Sequence, residues 1–525
     1  MRSASAVALL VAAVVALAAL PSADAAGQPY IVPLPRRWQY GNSTVYIDSQ
    51  SFAFTTKTQS FILGEGFNRY RSIIFQHAEA RGKTWAPLIT GLDVTVESND
   101  DTLQYGIDES YELIIPAQGG PAILRSRNVY GALRGLETFS QIVMFNPVDH
   151  VYEVAHAPWN IEDAPRFSHR GLLVDTSRHF EPVPTLKAVI ESMSFAKLNV
   201  FHWHIVDTQS FPFESRTYPD LWDGTFSLNE RYTQEDVMEI VEYAKLFGIR
   251  VMPEFDGPGH AASWCTGYPG ICPSPSCLEP LDPSSPLTFQ VIDGLLSETS
   301  GNSRYAGLFP DDMIHFGGDE VDPTCWTQTP RIVNWMNSKN YTTDDAYMYF
   351  IETVHSMAIK RGRNPVNWEE VFLHFGSSLD NDTIVHIWLN HDTLAQVVAA
   401  GYRGILSNQD VWYLDHLGTT WQQFYLNEPH EGIDDPNQQK LVLGGEVCMW
   451  GETVDTSDIF NTVWPRAAAA AERLWSDRQV NSTNLFEPRL LNFRCLLNLR
   501  GVPAAPVENA QARTGPPGPG GCYVQ

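Results

Sequence analysis

Two kinds of hydrophobic spacing divide the chain. From about residue 27 to residue 160, short runs alternate apolar and polar positions, as in "STVYID" (43–48), "LDVTVES" (92–98) and "YELII" (111–115). A period of two puts the apolar side chains on one face of a strand. One segment there, "YGALRGLETFSQIVMF" (130–145), repeats at helical spacing instead. This pattern predicts a small α+β domain that ends near the Pro-containing "HAPWNIEDAPRFSHRG" (156–171).

From residue 168 the rhythm becomes strand-then-helix. Eight apolar runs recur: "RGLLVD", "NVFHWHIV", "IRVMPEF", "MIHFG", "NPVNW", "TIVHIW", "GILS" and "LVLGGEVCMW". Most are separated by an amphipathic stretch. In "YTQEDVMEIVEYAKLFG" (232–248), Thr233 caps the start, Val237, Ile240, Val241 and Ala244 share a face, and Gly248 ends the helix. Eight such units predict a (β/α)8 TIM barrel over 165–505, preceded by the smaller α+β domain over 27–160. A doubly wound sheet is the alternative, but no G-x-G-x-x-G or G-x-x-x-x-G-K loop is present.

The ends of the chain read differently. Residues 1–25 carry one basic residue, an apolar run from Ala6 to Leu20 and an Ala23-x-Ala25 context, the pattern of a secretory signal peptide. That run is short for a membrane span, and no later one reaches the length required, so no membrane span is expected. Four Asn-x-Ser/Thr sites, at Asn42, Asn340, Asn381 and Asn481, fit passage through the secretory pathway, with lysosome, vacuole or extracellular space as destinations. A net charge of −26 argues against nucleic acid and anionic membranes as partners.

In an oxidising compartment most of the seven cysteines should pair. Cys448, inside an apolar run, is the candidate free thiol. Cys495 and Cys522 bracket the Pro/Gly-rich 506–525 tail and could tie it down, while the connectivity of Cys265, Cys272, Cys277 and Cys325 stays open.

A barrel of this kind works where its strands end. Those ends carry Arg178, Asp207, His260, the adjacent Asp319 and Glu320, Trp368, Trp388, Tyr413 with Asp415, and Trp450 with Glu452. Three chemistries compete for them. His202 and His204 share a strand face and could serve a metal-dependent hydrolase, although inward-facing core histidines, hydrogen-bonded to neighbours, explain them better, since a complete metal site needs further ligands and no second His pair appears. A retaining glycosidase needs two carboxyl groups on opposite sides of one carbon, an awkward task for consecutive residues. If a 2-acetamido sugar supplies its own nucleophile, the protein needs one general acid and one carboxylate that orients the amide. Adjacent acids suit that division.

The segments "HRGLLVDTSRHF", "NVFHWHIVDTQSFPFES", "EFDGPGH", "HFGGDEVDPTCW", "NWEEVF", "VWYLD" and "GGEVCMWGETVD" occur in this order. In them the chain resembles the β-N-acetylhexosaminidases of glycoside hydrolase family 20, over nearly all of its mature length. The resemblance implies an exo-acting retaining enzyme that removes terminal GlcNAc or GalNAc from glycans, glycoconjugates or chitooligosaccharides through an oxazolinium intermediate. It implies no metal or organic cofactor, and a homodimer. Glu320 would be the general acid, and Asp319 would hold the 2-acetamido group. Tyr413 would bond its carbonyl, with Trp368, Trp388 and Trp450 as walls. Arg178 and Glu452 would bind hydroxyls, and Asp207 and His260 would keep Glu320 oriented. The resemblance also implies disulfides Cys277–Cys325 and Cys495–Cys522, which leaves Cys265 and Cys272 to pair.

One position departs from the family. Where some members carry Asn-Arg and accept sulfated sugars, this chain has Asp415-His416, and His416 matches neither known version. Asp415 should favour a neutral sugar, with protonated His416 offsetting part of its repulsion toward a 6-sulfate. The rivals to this reading are a metal-dependent barrel hydrolase and a sugar-binding relative with a dead site.

Overall fold

The computed structural model describes residues 28–77, 86–303 and 305–508. The signal segment, Cys522 and the tail from 509 onward lie outside the described residues. The first half-sheet comprises β1 (Arg37–Ile47), β2 (Ala53–Thr56), β3 (Leu88–Val96), β4 (Tyr111–Ile115), β5 (Gly120–Ser126), β6 (Met144–Asn146) and β7 (Val151–Asp163). They pair in the order β1-β3-β5-β4-β7-β6, with β2 beside β3 and the long β1 also antiparallel to β7. Helices Phe61–Ile74 and Val129–Ile142 contribute Leu63, Tyr70, Leu133, Leu136 and Phe139 to its apolar core.

β7 runs straight through the Pro-containing stretch that reads as a boundary in the sequence. It holds together because Pro158, which has no N–H to give, falls where the β1–β7 register is irregular, between the Tyr40–Trp159 and Ser43–Ala157 pairs.

The next eight strands close into a parallel barrel: β8 (His169–Asp175), β9 (Val200–Val206), β10 (Arg250–Phe255), β11 (Met313–His315), β12 (Asn364–Trp368), β13 (Ile384–Ile387), β14 (Arg403–Leu406) and β15 (Val442–Met449). Every apolar run that predicted a barrel strand forms one. The helix Gln234–Lys245 carries the expected cap, a reciprocal pair of bonds between Thr233 and Asp236, and buries Val237, Ile240 and Ala244.

The inside of the barrel is layered. Val200, Met252, Met313, Val366, Ile384, Ile405 and Leu443 form an apolar plug at the N-terminal end. Above it lies a fully buried polar layer of His169, His202, Glu254, His315, His386 and Glu446. Above that, Leu173, Trp368, Tyr413, Cys448 and Trp450 cluster, with Trp388 packed against them.

The sheet domain is bolted to the barrel by buried charges. Glu109 accepts from Arg134 and from Arg170, both at 2.8 Å, and from Asn199 at 3.0 Å. Lys197 reaches Asp163 at 3.0 Å and the Tyr111 hydroxyl at 2.9 Å, while the Trp475 indole donates to Asp163 at 3.0 Å.

Disulfides join Cys265 to Cys272 and Cys277 to Cys325. Cys448 is a buried free thiol. Cys495 is disulfide-bonded. Asn42, Asn340, Asn381 and Asn481 are all exposed. Among the described residues, no helix is long and apolar enough to cross a membrane.

Candidate active site

β11 ends at His315, and the chain then makes a sharp turn through Phe316, Gly317 and Gly318 before Asp319 and Glu320. Gly317 and Gly318 take φ of +60° and +87°, the left-handed region where a side chain is strained. Space demands glycine as well: a Cβ on Gly317 would overlap the Asp256 carboxyl. The turn is pinned from every side. The Gly317 N–H donates to His315 Nδ1 at 3.0 Å, and its carbonyl accepts from the Trp368 N–H and from Asn367 Nδ2, each at 3.0 Å. The Gly318 N–H donates to Asp256 Oδ1 at 3.1 Å, and its carbonyl accepts from the Tyr347 hydroxyl.

The turn sends the two acids into different surroundings. The Asp319 side chain is 13% exposed and that of Glu320 is 60% exposed. His260 stands between them, with Nε2 at 3.5 Å from Asp319 Oδ2 and 3.2 Å from Glu320 Oε2. Behind it, His260 Nδ1 lies 3.2 Å from Asp207 Oδ1, and Asp207 Oδ2 lies 2.7 Å from His204 Nε2. Arg178 closes this side through Asp207 at 2.9 Å and Asp175 at 3.1 Å, with Glu452 at 3.9 Å.

Burial pushes the Asp319 carboxyl up to about 6. The hydrogen bond from His260 holds Glu320 below the usual carboxylate range. Burial works against a charge on His260, yet its bonds to Asp207 and Glu320 hold it well above the ordinary imidazole value. Burial also opposes the charge of Asp207, but hydrogen bonds from His204 and His260 keep it well below the usual range. Asp256, under the turn, is pushed well up by burial and by the nearby charge of Asp319.

The aromatic residues meet opposite the acids. Trp368 lies 5.9 Å from Trp450, Tyr413 lies 5.9 Å from Trp450, and Trp388 is nearly parallel to Tyr413 at 6.4 Å. The Arg178 guanidinium sits 5.1 Å from the Trp450 ring centre. Asp415 is part-buried, with His416 Nε2 at 3.9 Å from its Oδ2, and His416 Nδ1 is fixed by the Gln409 carbonyl at 2.9 Å. Two buried carboxylate oxygens, Asp319 Oδ1 and Asp415 Oδ1, have no hydrogen-bond partner among the described residues.

The strand-end residues named from the sequence therefore gather at one mouth of the barrel. His202 does not join them there: it lies in the buried layer below, bonded to Glu446 at 2.8 Å. His204 links the two levels, bonding Glu254 at 2.6 Å on one side and Asp207 at 2.7 Å on the other. His202 with Glu254 and His315, or with His386 and Glu446, comes close enough to share a cation. Burial opposes charge in this layer, but Glu446 and Glu254 hold His202 up to about 9, so carboxylate and imidazolium already balance each other.

Sequence reasoning passed over several groups that build the site. Asp256, Tyr347 and Glu254 support it from below, with Glu254 also accepting the Trp368 indole at 2.9 Å. Asp256 and Glu254 fall within "EFDGPGH", so the signal was present, but their partners lie on other strands.

Comparison with known proteins follows the same lines. Residues 167–478 match the model of the glycosyl hydrolase family 20 catalytic domain, and residues 31–142 match a beta-acetyl hexosaminidase like domain. The chain belongs to glycosyl hydrolase family 20. It is similar to Beta-hexosaminidase 1 of Arabidopsis thaliana, with 50% identity over 517 residues, covering 95% of this chain and 94% of the relative. Beta-hexosaminidase subunit beta of Mus musculus is 37% identical over 528 residues, covering 95% and 96%. Among solved structures, a chitobiase from Flavobacterium johnsoniae superposes with a TM-score of 0.79 at 29% identity, covering 90% of this chain and 73% of the other. This family 20 enzyme is a glycoside hydrolase of the β-hexosaminidase type.

Proposed function

We propose that this enzyme is an exo-acting, retaining β-N-acetylhexosaminidase that removes terminal GlcNAc or GalNAc, with the sugar's own acetamido oxygen as nucleophile. The observation that carries the reading is the contrast between two consecutive acids on one pinned turn. Asp319 is largely buried and has an unpartnered oxygen, while Glu320 is exposed to solvent beside His260. A buried carboxylate is suited to accept the amide N–H and to offset positive charge on the forming oxazolinium. An exposed one is suited to protonate the leaving oxygen and later to deprotonate water.

The remaining roles are those the family resemblance implies. Tyr413 donates to the acetamido carbonyl, and Trp368, Trp388 and Trp450 enclose the sugar and its N-acetyl group, with Trp388 nearly parallel to Tyr413. Arg178, fixed by Asp175 and Asp207, binds ring hydroxyls together with Glu452. Asp207 and His260 hold Glu320. Asp415, with its unpartnered Oδ1, receives the exocyclic hydroxyl of a neutral sugar, so neutral substrates are preferred. Glycans, glycoconjugates or chitooligosaccharides ending in N-acetylhexosamine supply such termini. We further propose that the enzyme travels the secretory pathway and acts as a homodimer.

The test is hydrolysis of p-nitrophenyl N-acetyl-β-glucosaminide beside the matching β-glucoside, for wild type and Asp319→Asn. Turnover of the acetamido substrate alone, largely lost in the variant, is the expected result. Comparable turnover of both sugars would mean a protein nucleophile and would overturn the reading.

A further inference from the structure

A second pair of adjacent acids stands one strand along from Asp319 and Glu320. β12 ends at Trp368 and passes directly into the helix Glu369–Phe375, whose first two residues are Glu369 and Glu370. Nothing in the proposed reaction uses them.

Both acids hold the same residue, the first one beyond β13. Glu369 Oε2 accepts from the backbone N–H of Trp388 at 3.0 Å, and its carboxylate also accepts from Leu389 and Asn390. Glu370 Oε2 accepts from the Trp388 indole Nε1 at 2.8 Å. Trp388 is thus gripped at both of its N–H groups, one acid fixing where its backbone lies and the other fixing how its ring is turned. On its face the ring lies 14° from parallel to Tyr413. Swinging the indole would break the Glu370 bond and leave a part-buried N–H without an acceptor.

Acids in the first turn of a helix are common for a simpler reason, because they complement the helix dipole. That explanation is enough for their presence but not for their aim. A dipole partner has no need to reach a side chain on another segment, and here two consecutive acids converge on one tryptophan.

We propose that Glu370 is a positioning residue that sets the plane of Trp388 and thereby the size of the acyl group the enzyme accepts on its substrate's nitrogen. The proposal rests on the acetamido reading above. Burial, and then the charge of Asp319, push the Glu370 carboxyl up to about 8. At acidic pH it therefore accepts the hydrogen bond of the indole N–H without placing another negative charge beside Asp319.

The experiment compares p-nitrophenyl glycosides of N-acetyl- and N-propionyl-β-glucosamine in the full chain, as wild type, Glu370→Gln, Glu370→Ala and Trp388→Phe. Glu370→Gln keeps an oxygen acceptor and is expected to keep the wild-type acyl preference. Glu370→Ala frees the indole and should raise kcat/KM for N-propionyl relative to N-acetyl by about tenfold, the factor equivalent to one hydrogen bond of about 1.4 kcal/mol. Trp388→Phe, which lacks Nε1 but keeps Glu370, should relax the preference in the same direction. An equal loss on both substrates in Glu370→Ala, or a Gln variant that behaves like Ala, would overturn the proposal. Wild-type turnover of the plain β-glucoside would instead sink the acetamido reading itself, so the two failures are distinguishable.

Discussion

The Asp256 carboxyl occupies the space in which a side chain on Gly317 would have to begin. Asp319 and Glu320 are therefore placed by Asp256, just past the end of the neighbouring strand β10, and by a glycine that cannot be replaced without moving it. Gly317→Ala adds left-handed backbone strain of about 1–2 kcal/mol and forces Asp256 aside. With the turn displaced, kcat is expected to fall on the order of a hundredfold, with only a modest drop in Tm. Steady-state kinetics beside a thermal melt checks this, and a variant with wild-type kcat would show that the turn does not place the acids.

The titration of the two acids sets a pH profile. The proposed mechanism requires ionised Asp319 and protonated Glu320, whereas the free enzyme holds Asp319 up to about 6 and Glu320 below its usual range. The productive state is greatest between the two titrations, so kcat/KM should peak at acidic pH and decline above about 6. In Asp319→Asn only the protonation of Glu320 remains necessary. Its residual activity should therefore lose the acid limb and fall monotonically as pH rises. A persisting acid limb would assign that titration to another group.

The disulfide between Cys277 and Cys325 closes a separation of 48 residues and ends five positions beyond Glu320. Chain entropy assigns it about 4 kcal/mol of stability and assigns the shorter Cys265–Cys272 loop about 2 kcal/mol. Cys325→Ser is expected to lower Tm more than Cys272→Ser and to raise KM as well, because it frees the segment that follows Glu320. Equal melting losses with unchanged KM would contradict this.

His416 gives the specificity prediction. Its Nε2 faces the Asp415 carboxylate, and its Nδ1 is held by a backbone carbonyl. Replacing His416 by Leu should lower the ratio of 6-sulfated to neutral substrate turnover, because the imidazole beside the Asp415 carboxylate is lost. An unchanged ratio in the variant would remove His416 from this role.

The barrel was legible because each of its strands is buried on both faces and so reads as an unbroken apolar run, from "RGLLVD" to "LVLGGEVCMW". β7 was not, since it carries Pro158 and alternates against a solvent-facing side. In the site, Asp319, Glu320, Arg178 and the tryptophans stood out because strand ends are where a barrel keeps its chemistry. Asp256, Tyr347, Glu369 and Glu370 did not. Each acts through a partner on another element, such as Tyr347 on the Gly318 carbonyl or Glu370 on the Trp388 indole, and no local spacing encodes those pairings.

The charges buried between sheet and barrel make the two parts a single thermodynamic unit. Cutting the chain before β8 would leave Arg170 and Lys197 without Glu109 and Asp163, and stranding one partner of a buried pair costs about 3–5 kcal/mol. The catalytic barrel is thus not a portable module. A substitution at Glu109, on the sheet side of that seam, would show itself as missing protein and not as a slow enzyme.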